Sequence, residues 1–178
     1  MTEVTAHEQR AGTASPEPRF LFLDGTGHAY DEVSSMTGPL GGIQACTAHL
    51  AQSLAAAGCR VTVANGRTTA REGAGVHWLP IGQAGEVPAD VVIANNDPLL
   101  LDNAAAAWAE DALPVVWHHN HVKFFKTLRK GRLHPLRRWR PVGVFPGAGQ
   151  ARRCPGLLSY GARVVIPHGI DPYIMAAA

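Results

Sequence analysis

The chain alternates short, unbroken apolar runs with longer segments of helical periodicity. "RFLFLD", starting at Arg19, is a continuous apolar run that stops at an acid followed by glycines. That is the pattern of a strand buried on both faces. From Gly42 to Ala57, the residues Ile43, Cys46, Leu50, Leu54 and Ala57 recur at steps of three and four, which predicts a helix with one apolar face. Gly58 follows, a residue suited to the left-handed turn that closes a helix. "RVTVAN", "GVHWLPI" and "ADVVIAN" predict a second, third and fourth strand. The Ala-rich stretch from Leu99 to Ala112 predicts a helix, "LPVVWHH" a fifth strand, and "PVGVFPG" and "ARVVIPHG" two more. Residues 123–140 form a basic segment broken by Pro135 and are expected to be partly helical.

Val- and Ile-rich strands alternating with helices, without polar alternation along the strands, predict the α/β class. The expected fold is a parallel sheet covered by helices on both faces, a Rossmann-like sandwich. Such sheets bind ligands outside the carboxyl ends of their strands. The candidate loops are therefore those after Asp24, Asn65, Asn95 and Trp117.

Composition narrows the picture only a little. The chain has 178 residues, 46% of them hydrophobic, enough for one domain with a real core. A net charge of +2 is too small to argue for nucleic acid. Three cysteines, Cys46, Cys59 and Cys154, are odd in number and unpaired in spacing, as expected for free thiols in a reducing compartment. No apolar run approaches a membrane span of about 20 residues. The first eighteen residues lack the apolar core of a secretory signal and read as a disordered tail. The expected location is cytoplasmic, with a peripheral position at the inner membrane surface as a further option.

Three features carry candidate chemistry. Gly41 and Gly42 stand at the mouth of the first long helix, where unpaired N–H groups and the helix dipole favour a phosphate or a sugar hydroxyl. They serve equally as a flexible lead into the helix. "DGTGHA" lacks the third glycine of a dinucleotide fingerprint and no Walker A motif occurs, which disfavours a dehydrogenase and a P-loop nucleotidase. His118, His119 and His121 cluster at the end of the fifth strand, where a histidine can act as a general base. A metal is not expected. Neighbours on a strand point to opposite faces, and no Cys or acid pair stands close in sequence to complete a site. Third, "KFFKTLRKGRLHPLRRWR" carries eight Lys and Arg with no acid. It reads as a solvated face or as a contact with an anionic membrane or a phosphorylated acceptor.

Together these pieces resemble the N-terminal domain of glycosyltransferase family 4 enzymes. "GPLGGIQACTAHLAQSLAAAGCRVTVANG" is similar to that family's Gly-Gly loop, helix and Val-Thr-Val strand, and "ADVVIANN" to its fourth strand. "PVVWHHNH" is similar to its histidine-ended strand, and "ARVVIPHGID" to the segment that closes the domain. The resemblance spans Phe20 to Asp171. It implies the N-terminal half of a GT-B fold, organised as a tail over 1–18, one domain over 19–171 and the start of a linker over 172–178. It implies transfer of a hexose from a nucleoside-diphosphate sugar to an acceptor hydroxyl, with retention and with neither metal nor other cofactor. Gly41 and Gly42 take the cradle role and His119 the polar or proton-handling role, with His118 beside it. Asp24 is the candidate for orienting the first loop and touching substrate. Pro146 and Gly147 stand where the family has Ser-Glu, and His168 where it has Asn. The resemblance further implies that most donor contacts belong to a second domain, so that the chain alone is expected to be inactive unless that domain is supplied in trans. A stand-alone binding or partner domain, or a truncated inactive product, is the alternative.

Overall fold

In the structure, a computed structural model, residues 17–120, 130, 132–156 and 158–169 are described. The expected tail up to residue 16, the third histidine (His121), Phe124 and Phe125 of the basic segment, and the linker over 172–178 lie outside them. Eight strands form one sheet: β1 (Arg19–Leu23), β2 (Arg60–Asn65), β3 (Arg71–Gly73), β4 (Val76–Pro80), β5 (Ala89–Asn95), β6 (Trp108–Trp117), β7 (Val142–Phe145) and β8 (Ala162–Val165). Their order is β3-β4-β2-β1-β5-β6-β7-β8. Every neighbouring pair is parallel except the antiparallel β3–β4. The α/β class and the seven expected parallel strands are therefore present, in an order compatible with a Rossmann-like sheet.

Alternation along the strands divides the core in two. On one face Leu21, Leu23, Val92, Ala94, Val116 and Phe145 pack beneath the short helices α3 (Leu100–Ala104), α4 (His134–Trp139) and α5 (Ala148–Arg153). On the other, Phe22, Val61, Val63, Ile93, Val115 and Trp117 meet the long helix α2 (Gly42–Ala56), which follows a single turn, α1 (Ser34–Thr37). Full burial of side chains such as Phe22 and Leu21 contributes about 1.5–3 kcal/mol each. Gly58 closes α2 with φ +88°, the left-handed geometry expected of it.

Several expectations are corrected. The face of α2 turned to the sheet is Gln44, Thr47, Ala48 and Ala51, whereas Leu50 of the predicted apolar stripe is exposed. Small residues let the helix sit close to the strands, and the two polar ones find partners at the sheet edge. The helix predicted over Leu99–Ala112 stops early: α3 passes into a 3-10 turn at Ala105–Ala107, and β6 already begins at Trp108. Pairing of Trp108 opposite Ala89 and packing of its ring on Trp139 at 4.4 Å outweigh the helical preference of alanine. The strand β3 was not expected. It is short and polar, held by its pairing with β4 and by the ion pairs of Arg71 with Asp31 and Glu32. Pro135 does not break a helix but sits in the first turn of α4, where its missing N–H costs nothing. The last two residues of the predicted tail also make contacts, Glu17 through its carboxylate and Pro18 through its carbonyl, both with Arg60.

Candidate functional site

The order of the sheet reverses between β1 and β5, and the crevice outside their carboxyl ends is the natural binding place of such a sheet. Asp24, one residue past β1, is 1% exposed. Its Oδ1 accepts from the Thr26 N–H at 2.9 Å and its Oδ2 from the Tyr30 hydroxyl at 2.9 Å. Burial, helped by the Asp24 charge, raises the Tyr30 pKa far above the usual phenol range, so the hydroxyl stays a donor. Asp24 thus pins the loop that frames the crevice, with each carboxylate oxygen engaged inside the protein.

The two glycines differ. Gly41 caps α2 without any side-chain hydrogen bond, which leaves the first N–H groups of the helix open. A Cβ there would run into the carboxamide oxygen of Gln44, whose Nε2 donates to Thr26 Oγ1 at 3.1 Å. Local packing alone accounts for glycine at 41. A Cβ at Gly42 would meet nothing within 4 Å, so no neighbour among the described residues requires glycine there.

The histidines also part company. His118 follows β6 on the face of α3 to α5 and is fully buried. It stacks on Phe145 at 4.7 Å between ring centroids, and its Nε2 lies 2.7 Å from the Tyr160 hydroxyl. Burial, then the nearby His119, pushes its pKa down to about 3. His119 points to the other face, toward α2. Its N–H donates to Asn96 Oδ1 at 2.8 Å, and Asn96 adopts φ +59° to offer that oxygen. Its ring lies 4.3 Å from Trp117 and 5.1 Å from His168, between centroids. Burial, then His168, lowers its pKa to about 4.

The His119 ring is oriented by a relay that ends in the helix backbone. The Thr47 hydroxyl donates to the Ile43 carbonyl at 2.9 Å, so its oxygen is left to accept from Asn95 Nδ2 at 2.8 Å. Asn95 therefore turns Oδ1 toward His119 Nε2, 3.3 Å away, an arrangement that favours the tautomer with the proton on Nε2. Nδ1 keeps its lone pair and is buried without a hydrogen-bond partner among the described residues.

Two residues that sequence spacing did not connect to this point are Cys46 and His168. Cys46 lies on α2 one turn after Gly42, and His168 lies beyond β8. The Cys46 Sγ and one ring nitrogen each of His119 and His168 all lie within 4.8 Å of one another. Burial raises the Cys46 thiol pKa. Asn95 and Thr47 were also missed as side chains, although a polar pair closing the apolar run "ADVVIANN" marks the place.

Lys130, Arg132, Arg137, Arg138 and Arg140 are exposed, as expected. Trp139 is docked on the body, its Nε1 donating to Asp102 Oδ1 at 2.7 Å. No helix among the described residues is long and apolar enough to cross a membrane. No family model, no curated protein and no solved structure matches this chain.

Proposed function

We propose that the carboxyl edge of β1, β5 and β6 is the acceptor-side part of a sugar-transfer site. The reaction would move a hexose from a nucleoside-diphosphate sugar to a hydroxyl. The observation that carries this reading is the convergence of an uncapped helix N-terminus and a neutral, oriented histidine on one edge of a parallel sheet. The open N–H groups at Gly41 and Gly42 suit a phosphate or hydroxyl oxygen. His119, with a lone pair on Nδ1, suits the proton of an acceptor hydroxyl. His118 packs the core behind it, and Asp24 holds the loop. The GT-B architecture, and a second domain supplying most donor contacts, belong to the same proposal. The exposed Lys130, Arg132, Arg137 and Arg138 would draw in an anionic membrane or a phosphorylated acceptor.

Titration of the chain with nucleoside-diphosphate hexoses, followed by NMR, tests the reading. Weak binding is expected, with Kd near the millimolar range (about −4 kcal/mol). It should broaden the amides of residues 41–43 and be lost in Gly42→Val. Saturating donor that leaves those amides unmoved would overturn it.

A further inference from the structure

We propose that Cys46, His119 and His168 form a three-ligand site for a zinc-type transition-metal ion, with the fourth coordination position facing the crevice. This does not depend on the sugar-transfer reading, and a bound ion would take the His119 Nδ1 lone pair that the reading assigns to the acceptor proton. Three donors come from three separate parts of the fold, α2, the end of β6 and the segment after β8, and meet with all donor atoms within 4.8 Å.

The neighbourhood of His119 has the form that metal-binding imidazoles take. Such a histidine donates its second ring N–H to a carbonyl-type oxygen, which fixes tautomer and orientation. Here Asn95 Oδ1 is that acceptor, itself held by Thr47. The other nitrogen, Nδ1, is buried and has no hydrogen-bond partner among the described residues. The spacing of the rings fits as well. Two imidazoles bound to one tetrahedral ion at about 2.0–2.1 Å have centroids roughly 5 Å apart. His119 and His168 stand 5.1 Å apart. Donors around a tetrahedral zinc are separated by roughly 3.3–3.8 Å, so binding draws the cluster in by about an ångström. His168, the most exposed of the three, would make that movement.

The donor set selects the ion. One thiolate and two imidazoles, with no carboxylate, suit zinc and its neighbours in the first transition row and not magnesium or calcium. Three protein ligands with one position left for water or substrate are the arrangement of reactive zinc sites, whereas structural sites use four. A Lewis acid at this position would stand one helical turn from Gly42, where the helix leaves room.

Cobalt(II) reports on such a site directly, and the probe is the metal alone added to the full reduced chain. The expected result is one ion per chain, with a thiolate-to-cobalt charge-transfer band, tetrahedral visible bands, and displacement of both by zinc. Cys46→Ser should abolish the charge-transfer band and Cys59→Ser should leave it. His168→Ala should weaken binding about tenfold or more, as loss of a ligand costs at least what loss of an outer partner does. The wild-type chain gives a second measurement should the variants fold poorly: zinc should protect Cys46, and not Cys59, from alkylation. A spectrum without a thiolate band, a band that survives Cys46→Ser, or equal alkylation of Cys46 with and without zinc overturns the proposal. None of these readouts involves a nucleotide sugar, so failure here leaves the sugar-transfer reading standing, and the reverse holds too.

Discussion

His118 and His119 are neighbours in the chain and occupy different chemical worlds. His118 is sealed between Phe145 and Tyr160, with no exposed surface. His119 lies across the sheet, tied to Asn95 and Asn96 and facing Cys46 and His168. The same residue type at successive positions thus serves the apolar core in one case and joins a polar cluster under α2 in the other. Strand alternation forces the separation. Which side becomes the site depends on what covers it. Both faces fill with apolar side chains beneath their helices, but the face with His119 also receives the N-terminal turns of α2, with their open N–H groups and polar Gln44 and Thr47.

Substitution of each histidine should separate the two regions most strongly. His118→Ala removes a fully buried stacked ring and takes away the Tyr160 hydroxyl's partner. It should lower stability by about 2–4 kcal/mol, as large-to-small core changes do. His119→Ala should cost about 1 kcal/mol or less. Urea unfolding measures both, and equal losses would break the comparison.

Acid should act next. Both imidazoles are held neutral in the folded chain, His118 down to about 3 and His119 to about 4, chiefly by burial. An unfolded histidine takes up its proton near pH 6.5. Their contribution is therefore complete above that pH, and falls as pH drops from about 6.5 toward 3, because the unfolded chain binds protons that the folded one refuses. Among the described residues, the titratable groups that face His118 include Tyr160 and His119, with Arg163 and Cys154 behind the tyrosine. Thermal melts in the presence of a chelator should show this slope, and His118→Phe should flatten it. A slope unchanged by that substitution would place the linkage elsewhere.

The glycines sharpen the contrast at smaller scale. Gly41→Ala should cost about 1 kcal/mol, because Gln44 must leave Thr26 or clash. Gly42→Ala should be neutral or stabilising by up to about 1 kcal/mol, since alanine suits a helix and nothing obstructs it. Differential scanning measurements separate the two, and an equal loss in both would deny that Gly42 is free of packing demands.

Most of the sheet was legible because its strands are short, mostly apolar runs rich in Val, Ile, Leu and Phe, and Gly58 marked the end of α2 plainly. The three-residue β3 was not, since its stability comes from its partner strand and from Arg71, not from its own residues. The start of β6 was hidden by alanines that favour a helix locally. At the site, the strand end located the histidine pair, but the pattern did not say which of the two faces α2. Cys46 and His168 escaped for a different reason: only the packing of α2 and of the segment after β8 against β6 brings them to His119. Leu50 misled the reading of α2, because the helix turns small and polar residues, not its largest apolar ones, toward the sheet.

The division of labour between the two histidines is tested most directly by long-range proton–nitrogen NMR of the imidazole rings. Spectra would be recorded in chelator and then with a nucleoside-diphosphate hexose or with zinc. The account predicts that His119 is the Nε2–H tautomer, that its Nδ1 resonance moves with at least one of these additions, and that the His118 ring stays put throughout. A His119 ring protonated on Nδ1, or a His118 ring that shifts while His119 does not, would contradict it.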